Sequence, residues 1–148
     1  MTKATKTLIT TPGVTVQFLV DAEDSAGSTT AFVTTVAPRA MTPPAHSHAD
    51  WDETLYGIAG TMTYVVDGVK TDIGPGQGLC VRRGQVHKFE NLTEQDATML
   101  VVSTPGLFHE DYFVSIAEIL NAATPGPPDF QALMAVQAAH GVTPAPPR

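Results

Sequence analysis

The chain has 148 residues, enough for one domain with its own core and too few for two domains of ordinary size. Hydrophobic residues make up 43% and charged residues 16%, a globular balance that excludes general disorder. A formal charge of -7 argues against a nucleic-acid partner, which would need a clustered basic surface; Arg82, Arg83 and Lys88 are the only local basic group and fit a solvated hairpin.

Residues 1–13 are expected to form an N-terminal arm. Lys3 and Lys6 precede Leu8 and Ile9, but Thr10, Thr11 and Pro12 interrupt before an apolar signal-peptide core can form. No run reaches transmembrane length, so no membrane association is expected. The one cysteine, Cys80, cannot make an internal disulfide, which fits a cytoplasmic protein, and its place in Leu79-Cys80-Val81 predicts a buried small hydrophobe.

From Val14 to Ser103 the sequence reads as short strands separated by turn signals, the pattern of an all-β sandwich or barrel. Val14 to Val20 and Thr30 to Val36 are rich in β-branched residues, with a polar loop between them. Pro43 and Pro44 stiffen the approach to His46. Glu53 to Ile58 and Thr61 to Val66 flank Ala59-Gly60, and Asp67-Gly68 is a two-residue hairpin signal before Val69 to Ile73. Leu79 to Arg82, Val86 to Phe89 and Ala97 to Ser103 complete the series. After Pro105-Gly106, Tyr112, Phe113, Ile116, Ile119 and Leu120 recur at helical spacing. Asp129 is the expected N-cap of a second helix, closed by Gly141. Three prolines between Thr143 and Arg148 predict a loose or extended end.

Four residues in this frame point to chemistry. His46 and His48 lie two apart, so on a strand they share a face; on a solvated loop the same pair would mean nothing. Together with Glu53 and His87 they offer three imidazoles and one carboxylate, donors that suit a first-row divalent metal and leave coordination positions open. His109 and His140 stand alone on the helical tail, where surface or packing roles are expected. Asp50 and Asp52 flank Trp51 in an expected solvated turn, where an exposed tryptophan could serve a pocket rim or a subunit contact.

The spacing of these residues resembles the cupin superfamily. Its first motif, G-x5-H-x-H-x3,4-E-x6-G, is matched by His46, His48, Glu53 and Gly60, with Ala40 in place of the opening glycine. Its second, G-x5-P-x-G-x2-H-x3-N, is matched by Gly76, Gly84, His87 and Asn91, with Arg82 in place of proline. More weakly, Thr104-Pro105-Gly106 followed by an aromatic helix and a Pro-Pro-Asp segment is similar to single-domain, quercetin-dioxygenase-like cupins.

The resemblance implies an antiparallel jelly-roll-like β-barrel over residues 14–103 with a C-terminal helical extension over 104–148. It implies His46, His48, Glu53 and His87 as ligands of one divalent transition metal (Fe, Ni, Mn, Co, Cu or Zn) and a homodimer paired through sheet edges. If His87 and Glu53 face inward, strand parity places Phe89, Asn91, Leu55 and Gly57 on the pocket wall, Gly57 leaving room near the metal. The leading expectation is an enzyme, an oxygen-dependent dioxygenase acting on a small oxygen-rich molecule, with Glu53 as ligand and base. An oxygen-independent metal-dependent isomerase, lyase or hydrolase is the second, and a non-enzymatic small-molecule binding domain the third.

Overall fold

The computed structural model describes residues 8–123 and 125–146. Residues 1–7, within the expected N-terminal arm, lie outside that range, as do Thr124, Pro147 and Arg148. The apolar alternation from Val14 onward resolves into antiparallel strands that bury one side chain in two. β3 (Thr30–Val36) shows it most clearly, with Thr30, Phe32, Thr34 and Val36 buried and the residues between them half-buried.

Two sheets face each other. The larger is built, in spatial order, from β1 (Leu8–Thr11), β2 (Val14–Val20), β3, β10 (Ala97–Thr104), β5 (Asp52–Ala59) and β8 (Gly78–Val81). The smaller runs β11 (Val142–Pro144), β4 (His46–His48), β9 (His87–Glu90), β6 (Met62–Val66) and β7 (Val69–Ile73). The order of both sheets is far from sequence order, which is the jelly-roll arrangement expected for residues 14–103. Asp67 and Gly68 turn β6 into β7 with φ of 48° and 85°, the paired positive values of a tight hairpin.

The core between the sheets is filled by Phe18, Phe32, Leu55, Met62, Tyr64, Val81, Met99 and Val101, each at most 4% exposed. Helices α1 (Glu110–Ala122) and α2 (Phe130–Ala139) follow the barrel. Phe113 of α1 packs on Phe18 and Phe32, with ring centroids 5.6 and 4.9 Å away, so the helix closes the core side of the barrel. The Asp129 side chain accepts a hydrogen bond from the Ala132 backbone N–H at 3.0 Å, the expected cap of α2. Among the described residues no helix is long and apolar enough to cross a membrane.

Four local expectations are corrected. Part of the N-terminal arm, Leu8–Thr11, is a strand paired with β2. The described part of the tail is extended and not loose: Val142, Thr143 and Pro144 pair antiparallel with His48, Ser47 and His46, and the Ala145 N–H donates to the Ala45 carbonyl at 2.8 Å. Proline is tolerated there because β11 is the last strand of its sheet. Trp51 is not in a solvated turn but buried, at 2% exposure. Cys80, expected inside, is exposed on the outer side of β8, because strand parity turns Leu79 and Val81 toward the core.

Candidate metal centre

β4 is only three residues long, and its alternation buries His46 and His48 while leaving Ser47 half-buried. Its register with β9 sets His46 opposite His87. Three imidazoles therefore converge, with ring centroids 4.5 Å (His46 to His87), 4.8 Å (His48 to His87) and 5.1 Å (His46 to His48) apart. One ring nitrogen from each can be chosen so that all lie within 4.8 Å of one another.

The hydrogen bonds around this cluster decide which nitrogens are free. His46 Nδ1 lies 2.8 Å from the Pro44 carbonyl and His87 Nδ1 3.0 Å from the Gln85 carbonyl. A carbonyl can only accept, so each Nδ1 carries the proton and each Nε2 keeps its lone pair. The Nε2 atoms of His48 and His87 are buried without any hydrogen-bond partner. Burial also holds the rings neutral. It lowers the pKa of His46 to about 4, helped by the neighbouring His87, and that of His48 to about 2, helped by His87 and His46. His87 is lowered as well, again by burial. Buried neutral imidazoles with unpartnered lone pairs fit a divalent transition metal, which would satisfy those atoms.

Glu53 stands beside this cluster, one step outside it. Its Oε2 is 3.7 Å from His48 Nδ1, and the residue is 7% exposed. With His48 neutral, this contact is not an ion pair. Burial raises the Glu53 carboxyl to about 7. Tyr64 is raised well above its usual value by burial and by Glu53, and Tyr112 is raised to about 12, chiefly by burial.

An aromatic cover closes the centre, and most of it was not foreseen from sequence. Trp51 stacks on His48 at 4.4 Å with planes 16° apart, and Phe108 lies 5.5 Å from His48 and 5.3 Å from Trp51. Tyr112 packs on Phe108 at 4.8 Å. The tail supports this cover: Gly141, at φ 73°, comes so close to Trp51 that an added Cβ would sit 3.3 Å from the ring. The traces in the sequence were Trp51, offered as a pocket-rim residue, and the aromatic cluster after Pro105-Gly106.

The residues expected on the pocket wall have other surroundings. Leu55 is a fully buried core residue. Gly57 does face inward, but the room expected there is filled: an added Cβ would lie 2.0 Å from the Gly74 carbonyl oxygen. Phe89 is half-buried against Tyr64, with centroids 5.7 Å apart. Asn91 uses its whole amide in the turn that follows β9. It donates to the Val36 and Gln95 carbonyls and accepts from the Thr93 N–H and hydroxyl. His109 and His140 lie near Asp21 (3.6 Å) and Asp111 (3.9 Å), outside the cluster.

Residues 32–103 match a family model described as a cupin domain. The barrel has the cupin fold. Solved structures similar to it include the polyketide cyclase RemF from Streptomyces resistomycificus, at 27% identity and a TM-score of 0.58, with 70% of this chain and 80% of that one covered. A sugar phosphate isomerase from Silicibacter pomeroyi is 25% identical at a TM-score of 0.55, covering 62% of this chain and 59% of its own. An oxalate decarboxylase variant from Bacillus subtilis reaches a TM-score of 0.62 at 20% identity, covering 71% of this chain and 29% of its own, and shares the fold alone. No curated protein matches the chain.

Proposed function

We propose that the chain is a metal-dependent enzyme that moves a proton on a small, oxygen-rich organic molecule. The observation that carries this reading is the buried Glu53 carboxyl 3.7 Å from one ring of a three-histidine cluster in which the Nε2 atoms of His48 and His87 lack partners. His46, His48 and His87 would hold the metal, with Glu53 as the fourth ligand, and the bound ion would supply Lewis acidity toward the substrate's oxygens. Glu53 is the group of this chain that takes the proton, because among the described residues it is the one carboxyl buried beside the cluster. Trp51, Phe108 and Tyr112 exclude bulk water, which strengthens every charge interaction beneath them.

Two chemistries begin with that proton transfer. The oxygen-independent one, an isomerase, cyclase or lyase, has the stronger support, since a polyketide cyclase and a sugar phosphate isomerase are similar over most of the barrel. The dioxygenase reading is supported by the segment from Thr104 to Phe113, which here provides the aromatic cover. Protein purified without added metal, assayed for its metal and then against diketones, flavonols and sugar phosphates in air and under strict anoxia, separates them. Turnover retained without oxygen supports the first, and turnover confined to air supports the second. Tight binding without turnover under any metal would refute both and leave a binding domain. Glu53→Gln should keep the fold and lose turnover; full activity in that variant refutes its role.

A further inference from the structure

A buried polar side chain normally finds a hydrogen-bond partner, since leaving it unpaired costs its full desolvation penalty. The rule holds at Asn91, which uses its whole amide, and at Thr63, whose hydroxyl donates to Asp72 at 2.6 Å. Beside Glu53 and the histidines it fails. Thr30 Oγ1, Ser103 Oγ and Trp51 Nε1 are buried without a partner, as are the Nε2 atoms of His48 and His87. Thr30 and Ser103 are 0% exposed. Register places their hydroxyls. Ser103 on β10 stands opposite Glu53 on β5 and opposite Thr30 on β3, so the three side chains form one inward row. With strands about 4.8 Å apart, Ser103 lies about 5 Å and Thr30 about 10 Å from Glu53 along that row. Trp51, stacked on His48 and two residues before Glu53, puts a third donor at the same end of the barrel.

We infer that Thr30, Ser103 and Trp51 form a subsite for an uncharged oxygen of the substrate, a carbonyl or hydroxyl carried on a flat ring, while a second oxygen of the same molecule meets the metal. The inference rests on the metal-dependent reading above and narrows its substrate class. The indole N–H can only donate and each hydroxyl can donate, so the group they face must accept. Charge limits that group. Among the described residues every Lys and Arg is outside the barrel: Arg39, Lys70, Arg82 and Arg83 are exposed, and Lys88 is half-buried, 3.1 Å from Glu90. A phosphate or carboxylate in this row would be a buried anion beside Glu53, with no counter-charge except the ion, which Glu53 already partly neutralises. The walls limit its shape. Phe32, two residues from Thr30 on the same face, lies 6.1 Å from Phe108, on which Trp51 stacks with planes 26° apart. Such faces suit a conjugated ring, and a row of about 10 Å suits a molecule of one or two rings. Trp51, Phe108 and Tyr112 are buried over the centre, so entry requires that part of this cover moves. A neutral oxo- or hydroxy-aromatic compound fits; a sugar phosphate or a dicarboxylate does not.

Isothermal titration of the full chain, with the metal it retains on purification and under strict anoxia, tests this with three related ligands. The compound ortho-hydroxyacetophenone offers chelating oxygens alone, resacetophenone adds a hydroxyl para to the acetyl group, and the third carries a carboxylate in that place. Resacetophenone should bind about 10-fold tighter than ortho-hydroxyacetophenone, the worth of a hydrogen bond or two, and the carboxylate at least about 10-fold weaker than resacetophenone. Ser103→Ala and Thr30→Val remove the hydroxyls at nearly constant shape. Combined in one protein, they should make the first two ligands bind equally, with metal content unchanged. The urea midpoint should stay or rise, because hydroxyls unpaired in the empty fold are deleted. Equal binding of the first two ligands by wild type, a carboxylate that binds as tightly as resacetophenone, or a lowered urea midpoint in the double variant overturns the inference alone. Failure of all three ligands to bind refutes the metal-dependent reading, and this inference with it.

Discussion

Replacing Glu53 by glutamine should make the metal-free protein more stable above neutral pH, although the same change removes its proposed base. Glu53 is 7% exposed and burial lifts its carboxyl from 4.5 to about 7. A group raised in the folded state contributes its full stability below its unfolded value, where it is neutral in both states, and loses that contribution as pH rises through the folded value. Between 4.5 and about 7 the loss amounts to about 3 kcal/mol, at roughly 1.4 kcal/mol per pH unit. Glutamine has the same shape and no charge to desolvate, so its stability carries no such slope. His46, His48 and His87, lowered by burial, act in the opposite sense: they lose stability as pH falls below their ordinary range. That term is common to both proteins and cancels in their difference. Urea denaturation of chelator-stripped wild type and Glu53→Gln at about pH 5 and about pH 8 should therefore show a gap that opens by up to about 3 kcal/mol in favour of the variant. A difference that stays constant with pH would mean that Glu53 is not buried as a neutral acid, and the reasoning fails.

His87→Ala should drop metal content from the expected one ion per chain to a small fraction of that, read by elemental analysis, because it removes one of the three converging imidazoles and leaves only His46, His48 and Glu53 of the four proposed donors. Gly57→Ala should destabilise by about 2–4 kcal/mol in urea, since its Cβ would sit 2.0 Å from the Gly74 carbonyl oxygen, a backbone atom that cannot swing aside. Unchanged stability would show that the two turns do not meet so closely. Gly141→Ala, at φ 73° and against Trp51, should cost about 1–2 kcal/mol in thermal unfolding. It should also weaken metal retention, because the tail holds both Trp51 and the strand that carries His46 and His48.

The histidines were legible because their geometry is local. Two residues apart on any strand share a face, so His46 and His48 needed only a strand to converge, and turn residues such as Asp67-Gly68 marked where strands end. Inward parity at Glu53, Leu55 and Gly57 followed from the same rule. What the rule could not give was the neighbour on the far side: Gly57 faces a carbonyl from another turn, and Asn91 spends its amide on its own loop and on the Val36 carbonyl of β3. Trp51 looked solvated between two aspartates because, apart from His48, the groups that cover it, Phe108 and Gly141, come from far along the chain.

By itself the sequence determined the strands between Val14 and Ser103, the shared face of His46 and His48 and the all-β class, because side-chain alternation and turn chemistry act over a few residues. Only the tertiary structure decided that the proline-rich tail becomes a strand beside His46 and His48 and that an aromatic cover closes the centre. Each of these depends on pairings between segments tens of residues apart, and hydrogen bonding and burial across such distances leave no periodic trace along the chain.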